Sequence, residues 1–336
     1  MTQTSRRATI IIPSYQHRPA LAAYLPSVVE AAAACAPPAA VLVVDDGSSD
    51  GTAEFVRQAF PEVRVLRRER NQGFIAAVAA GVRQAESEII ILLNCDMQVA
   101  RDFARQLIAA FDEPQTFAAS AAIYQMEAGG ACESIVQGAV ERGIFRIRFL
   151  GDHRPRNPDA PLPVLYACGG AAAFRRDLFL QLGGLDPLYH PYYWEDCDLG
   201  YRAWKAGYRC VYVHTSAVLH FHPGPIKKYH PRGRIERIQQ RNRFLFMWKN
   251  LTDPWMLTGH LLLLCPHLLV STVTGRWRFV AALAQAAAKL PEALRARRRV
   301  KSLFVRSDRE VLRLSSPMPY LEPGGSGPPR GGRMSF

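Results

Sequence analysis

Acidic residues are in short supply in this chain, with 29 Asp and Glu against 42 Lys and Arg over 336 residues and a net charge of +13. Paired cysteines are absent. The seven cysteines, at 35, 95, 132, 168, 197, 210 and 265, form no Cys-x-x-Cys pair and no metal-ligand spacing, so they read as reduced intracellular thiols that fill a core. A signal peptide is missing too: the apolar run after Arg6-Arg7 is four residues long and stops at Pro13. The folded part is therefore expected in the cytoplasm. There is no internal repeat, and no Gly-Lys pair of the kind that cradles phosphate.

Apolar residues are plentiful, at 49% of the chain, enough to build a full core. Charge is unevenly placed. From Pro223 onward 21 Lys and Arg face 6 Asp and Glu, a surplus of +15, which leaves −2 for the first 222 residues. A near-neutral domain followed by a basic tail suits an anionic partner such as a phospholipid or a phosphorylated lipid. Nucleic acid is not expected, because no recognisable binding module accompanies the charge.

The first half alternates short β-branched runs with helical patterns. Strands are predicted at 9–12, 40–44, 63–66 and 88–93, and helices near 19–35, 51–59, 73–86 and 100–112. Continuous apolar strands separated by helices indicate a mostly parallel α/β sheet with both faces covered. Ligands of such sheets bind beyond the carboxyl ends of the strands. Further strands are expected at 117–123, 144–149, 164–167 and 208–213, with a helix near 195–206.

Three strand ends carry polar loops: Pro13-Ser14-Tyr15, Asp45-Asp46-Gly-Ser-Ser-Asp-Gly-Thr52, and Asn94-Cys95-Asp96. Adjacent carboxylates at a strand-to-helix turn accept hydrogen bonds from a base N–H or a ribose hydroxyl, and they would repel phosphate. The same octamer also makes a tight loop with a helix start. A carboxylate such as Asp96, next to a bound diphosphate, suits the hard cations Mg²⁺ or Mn²⁺. The two acidic loops are expected at adjacent strand ends.

These pieces, taken with IIIPSYQ (10–16), NQGFIAAVAAG (71–81), CGGAAAFRRD (168–177), GGLD (183–186), WEDCDLGYRAWKAGY (194–208) and HFHPG (220–224), resemble the family 2 glycosyltransferases of the GT-A fold. The resemblance runs through about the first 222 residues. One departure is Asn94 in place of the first Asp of the family's Asp-x-Asp, which leaves Asp96 as the metal-contacting position. The resemblance implies a Rossmann-like sheet flanked by helices and an inverting transfer from a UDP- or dTDP-linked sugar to a glycan or lipid-linked acceptor in cell-envelope synthesis. It further implies Asp196, with Glu195, as the catalytic pair, Asp196 being the general base. Donor contacts would come from Pro13, Tyr15, Asp45, Asp46, Asn71, Gly73, Asn94, Gly169 and Gly170. Asp96 and His220 would hold the metal, His220 being preferred to His214 and His222. Tyr192, Tyr193 and Trp194 would form an acceptor platform. Asp198 reads as an intrahelical partner for Arg202.

The resulting division is a glycosyltransferase domain over 1–230, a helical basic and apolar extension over 231–318 and a disordered tail over 319–336. The charge-free stretch 254–275 is long enough to span a bilayer. Basic flanks on both sides favour instead an in-plane element on the inner leaflet of the cell membrane, with a helix buried within the protein or an oligomer as the other option. Gln240-x-x-Arg243-Phe244 is close to the Gln-x-x-Arg-Trp motif of processive synthases, with Phe for Trp. A competing reading is a non-catalytic, membrane-associated scaffold that binds nucleotide or glycan.

Overall fold

The structure is a computed structural model that describes residues 6–128, 130–221 and 231–324. Its first half follows the predicted alternation. Strands β1 (Ala8–Ser14), β2 (Ala40–Asp45), β3 (Arg64–Arg67) and β4 (Ile89–Leu93) alternate with helices α1 (Arg18–Ala33), α2 (Thr52–Ala59) and α3 (Phe74–Gln84). All four strands run parallel, in the order β4-β1-β2-β3. Both faces are buried: Ile10 and Ile12 point into one apolar core and Ile11 into the other. Because β1 lies between β2 and β4, the two acidic loops are not at adjacent strand ends as expected. They flank the Ser14-Tyr15 turn of β1.

Beyond β4 the sheet becomes mixed. The next elements are β5 (Met97–Val99), α4 (Phe103–Ala109), β6 (Thr116–Gln125), β7 (Ala131–Cys132), β8 (Val136–Glu141), β9 (Ile144–Phe149), β10 (His153–Pro155), β11 (Leu162–Pro163), β12 (Ala171–Arg175), α5 (Arg176–Gln181), α6 (Glu195–Lys205) and β13 (Arg209–His220). β12 enters antiparallel between β4 and β6, and β13 runs parallel to β6. β8 and β9 form a separate hairpin. The strand predicted at 164–167 is not one: the chain leaves the sheet after Pro163, and the Leu165 amide bonds the Val136 carbonyl. The strand predicted at 208–213 runs on to His220, because a bulge between Val213 and Ala217 restores its pairing with β6.

The C-terminal helices are α7 (Arg232–Asn250), α8 (Pro254–Val273), α9 (Trp277–Ala288), α10 (Leu290–Lys301) and α11 (Asp308–Leu314), followed by β14 (Leu321–Pro323). Phe244, Phe246, Ala286, Ala293 and Val311 join the same core as Ile11 and Tyr201. β14 pairs antiparallel with β10, so residues 321–323, expected in a disordered tail, are ordered by main-chain hydrogen bonds. Helix α8 is not buried in the protein: only His260 and Ser271 are, while Leu262, Leu269 and Val273 are 66–79% exposed.

Candidate active site

The turn after β2 is built around the two aspartates. Asp45 is fully buried; one oxygen accepts from the Ser48 amide at 3.0 Å and the other has no hydrogen-bond partner, with Arg67 Nε 3.9 Å away. A buried carboxylate oxygen left without a donor can accept one from a ligand, as a base N–H would supply. Asp46, grouped with Asp45 as a nucleoside grip, has both oxygens engaged inside the protein. It accepts from Arg68 at 2.7 Å and from the amides of Gln72 and Gly73 at 3.0 and 2.7 Å. Asp46 therefore fixes the Arg68–Gly73 turn that leads into α3. Gly47, in the left-handed region at φ 79°, makes this turn possible, since a Cβ there would lie 2.7 Å from the Arg70 Cα. Asn71 caps the same turn through the Gly73 amide, at 2.9 Å. Pro13 is within β1, and Tyr15 is exposed beyond it.

At the end of β4, the Asn94 amide bonds the Gly170 carbonyl at 2.8 Å, and Asn94, Gly169 and Gly170 share one cleft wall. Asp96 reaches His220 because β5 pairs antiparallel with the end of β13, Met97 opposite His220. His220 Nε2 lies 3.4 Å from the Asp96 carboxylate, and Nδ1 3.5 Å from Glu133 and 3.0 Å from Gln125 Nε2. Burial alone would lower the pKa of His220; Asp96 and Glu133 outweigh it and raise the value to about 9. His214 sits on the bulge, 2.9 Å from the Tyr212 hydroxyl, and His222 lies outside the described residues.

Asp196 stands in the first turn of α6. It accepts from the Cys197 amide at 2.7 Å and, with its other oxygen, from the Gly169 amide at 3.4 Å. A helix N-terminus alone predicts a low carboxyl pKa. Desolvation wins here and raises Asp196 to about 6, and it raises the adjacent Glu195 too, with the Asp196 charge adding to the effect. Glu195 Oε2 is buried without a hydrogen-bond partner. Two carboxylates side by side thus favour different protonation states near neutrality.

Asp198 is structural, as its spacing predicts. It binds Arg202 at 2.7 Å, and also Lys249 at 2.8 Å, the Tyr189 hydroxyl at 2.7 Å and Asn250 at 2.7 Å, all buried. This hub ties α6 to α7. A second tie comes from Asn242, whose amide lies 2.8–3.0 Å from the carbonyls of Tyr189, Tyr192 and Tyr193. It holds Tyr193 and Trp194 at φ 69° and 80°, a conformation costing about 1–3 kcal/mol per residue. Tyr193 and Trp194 line the cleft, while Tyr192 packs behind against the Tyr193 ring.

The cleft has a volume of about 500 Å³ and joins Asn94, Gly169 and Asp196 to Glu133, Arg146 and Arg243. Sequence reasoning missed Glu133, Arg146 and Asn242. Glu133 and Arg146 lie in the weakly patterned stretch where no motif marked them, and Asn242 sits inside the Gln-x-x-Arg segment, which drew attention to its neighbours instead.

The Glycosyl transferase family 2 model matches residues 9–183, more than half of the chain. The chain belongs to glycosyl transferase family 2. It is a glycosyltransferase that uses a nucleotide-sugar donor, which answers the scaffold reading. It is 28% identical over 303 residues, 80% of this chain and 94% of the relative, to the N-acetylglucosaminyl-diphospho-decaprenol L-rhamnosyltransferase of Mycobacterium tuberculosis. Among solved structures it is similar to GalNAc-T7 with UDP, GalNAc and Mn²⁺ (TM-score 0.58, 19% identity, 75% of this chain and 49% of that one). It is also similar to the mannosyltransferase PcManGT of Pyrobaculum calidifontis with GDP-Man and Mn²⁺ (TM-score 0.52, 20% identity, 93% and 84%). These two likenesses establish the GT-A fold.

Proposed function

We propose that this glycosyltransferase is inverting and metal-dependent, and that it moves a sugar from a UDP- or dTDP-linked donor to a lipid-linked glycan in cell-envelope polysaccharide synthesis. The observation that carries this reading is Asp196, a desolvated carboxylate at the head of α6 on the cleft wall. In the proposed step Asp196 takes the proton of the acceptor hydroxyl as its oxygen bonds to the anomeric carbon. The bond from that carbon to the diphosphate breaks on the opposite face. General-base help of this kind is worth roughly 10²–10⁴ in rate. The lipid-linked acceptor is supported by the rhamnosyltransferase relative, whose name specifies a diphospho-decaprenol.

A divalent ion fits the residues present. Asp96 is a buried carboxylate, and the Nε2 of His220 beside it has no hydrogen-bond partner, so the proton that Asp96 and Glu133 otherwise hold on the ring would be displaced by a cation entering there. Among the described residues no three His, Cys, Asp or Glu side chains converge on an ion. Asp96 and His220 would therefore hold Mg²⁺ or Mn²⁺ together with donor phosphates and water, the usual arrangement for a cation that keeps few protein ligands. The ion, when bound, supplies neutralisation of charge on the leaving diphosphate.

Attachment to the inner face of the membrane is supported by α8, the one described helix long and apolar enough to cross a bilayer, whose apolar side chains are largely exposed. Arg232 and Arg278, exposed nearby around Glu236, add attraction for anionic headgroups. The test is donor turnover across UDP-, dTDP- and GDP-sugars with Mn²⁺ or Mg²⁺ and a lipid-diphosphate sugar acceptor. Transfer from a UDP or dTDP donor, lost in EDTA, is expected; metal-independent transfer, or none from either donor class, would contradict the reading.

A further inference from the structure

Arg146 and Arg243 line one cleft, and among the described residues neither guanidinium is paired with an acid. Arg146 is on β9 and Arg243 on α7, and both line the cleft that holds Asp196. Among the described residues neither guanidinium makes a hydrogen bond or ion pair, and the Nε of Arg243 is buried without a partner. Burial pulls the Arg243 pKa down to about 10, with the Arg146 charge adding to the effect. The cleft's acids other than Asp196 are engaged elsewhere: Glu236 with Arg232 and Arg278, Glu133 with His220 and Gln125. Arg243 brings a buried Nε without a partner to the cleft, Arg146, exposed on β9, adds a second cation to the same cleft, and their forked donors suit phosphate.

The hairpin that carries Arg146 also fixes which end of a ligand belongs there. One residue before Arg146, the Phe145 ring packs on Trp194, beside the catalytic acids. At the hairpin turn, His260 and His267 of α8 hydrogen-bond the carbonyls of Gly143 and Arg142 at 2.8 and 2.9 Å. Trp248 Nε1 donates to His260 Nε2 at 3.1 Å, so the His260 proton is on Nδ1 and points to Gly143. Arg146 thus follows Phe145 on the strand whose turn abuts the exposed apolar helix, and Arg243 lines the same cleft from α7. The turn held by Asp46, by contrast, lies beyond β2, two strands along the sheet from β4.

We infer that Arg146 and Arg243 form a phosphate subsite for the acceptor, gripping the phosphoryl group that joins its sugar to its lipid. This rests on the proposed lipid-linked acceptor. Gln240, whose buried carbonyl oxygen in the same cleft has no donor, is placed to accept from a sugar hydroxyl beside that phosphate.

The test is calorimetric titration in EDTA with two probes, geranyl diphosphate and UDP, so that neither metal nor turnover contributes. Arg146→Gln/Arg243→Gln should weaken geranyl diphosphate by about tenfold or more and leave UDP unchanged, since the variant removes two charge-assisted donors. Arg148→Gln, on the same hairpin, should change neither. If the double variant does not fold by circular dichroism, the single variants R146Q and R243K serve, each expected to weaken geranyl diphosphate about threefold or more. Unchanged geranyl diphosphate affinity, or no measurable affinity in the parent, would overturn the subsite. Parallel loss of UDP in a folded variant would assign the arginines to the donor diphosphate and also overturn it. Because both probes are read without turnover, a protein inert towards every donor would sink the proposed transfer and leave this result readable.

Discussion

The side-chain amide of Asn242 donates to the main-chain carbonyl of Tyr193 at 2.9 Å, across 49 residues of sequence. The same nitrogen serves Tyr189 and Tyr192, so one buried side chain on α7 sets the path of the loop that delivers Trp194 and Asp196. Tyr193 and Trp194 would leave their left-handed conformation without that restraint.

Asn242→Ala is therefore expected to slow transfer by about 10²-fold, the scale of a small misplacement of reacting groups. Donor affinity should stay near that of the parent, because the Asp45-Asp46 loop, expected to contact the donor, is built elsewhere. Steady-state kinetics with nucleotide titration checks the split; a loss carried by donor affinity would contradict it.

The Arg68–Gly73 turn depends on Asp46 in the same way. Removing its carboxylate leaves the amides of Gln72 and Gly73 without their acceptor. Asp46→Ala should cost about 1–3 kcal/mol in chemical denaturation, the penalty of unsatisfied buried groups. It should also weaken nucleotide binding while leaving geranyl diphosphate binding intact.

Protonation of Asp196 should switch the enzyme off. Desolvation holds its carboxyl pKa above the ordinary range, at about 6. The base must be ionised to work, so kcat/KM should fall about tenfold per pH unit below that value and level off above it. Glu195→Gln mimics the protonated neighbour and should keep the acid limb in place. A limb near pH 4 in the parent would show that Asp196 is not the titrating base.

The apolar face of α8 should bind anionic vesicles. Leu262→Glu/Leu269→Glu places charge on exposed positions away from the core, so the fold should be retained. Co-sedimentation with phosphatidylglycerol vesicles should drop by about tenfold or more, since each leucine buries on the order of 1.5–3 kcal/mol of apolar surface. Equal sedimentation of parent and variant would remove the membrane role.

Much of this arrangement could be read in the sequence, because its signals are local. Short β-branched runs ending in polar loops predicted β1, β2 and β4, and with them the heights of Asp45 and Asp96. The i,i+4 spacing of Asp198 and Arg202 predicted their ion pair. What escaped reading depends on long-range pairing. The bulge that carries β13 to His220 arises from register with β6, and Glu133 reaches His220 only through the β6–β7 turn. Composition likewise assigned 321–323 to a tail, yet their backbone pairs with β10, 166 to 170 residues earlier.

The central claim is that Asp196 removes the acceptor proton. Asp196→Asn, assayed for transfer and for metal-dependent donor binding, tests it most directly. The prediction is donor binding like the parent's with transfer lowered by about 10²-fold or more. Transfer at the parental rate by a folded Asp196→Asn enzyme would contradict it.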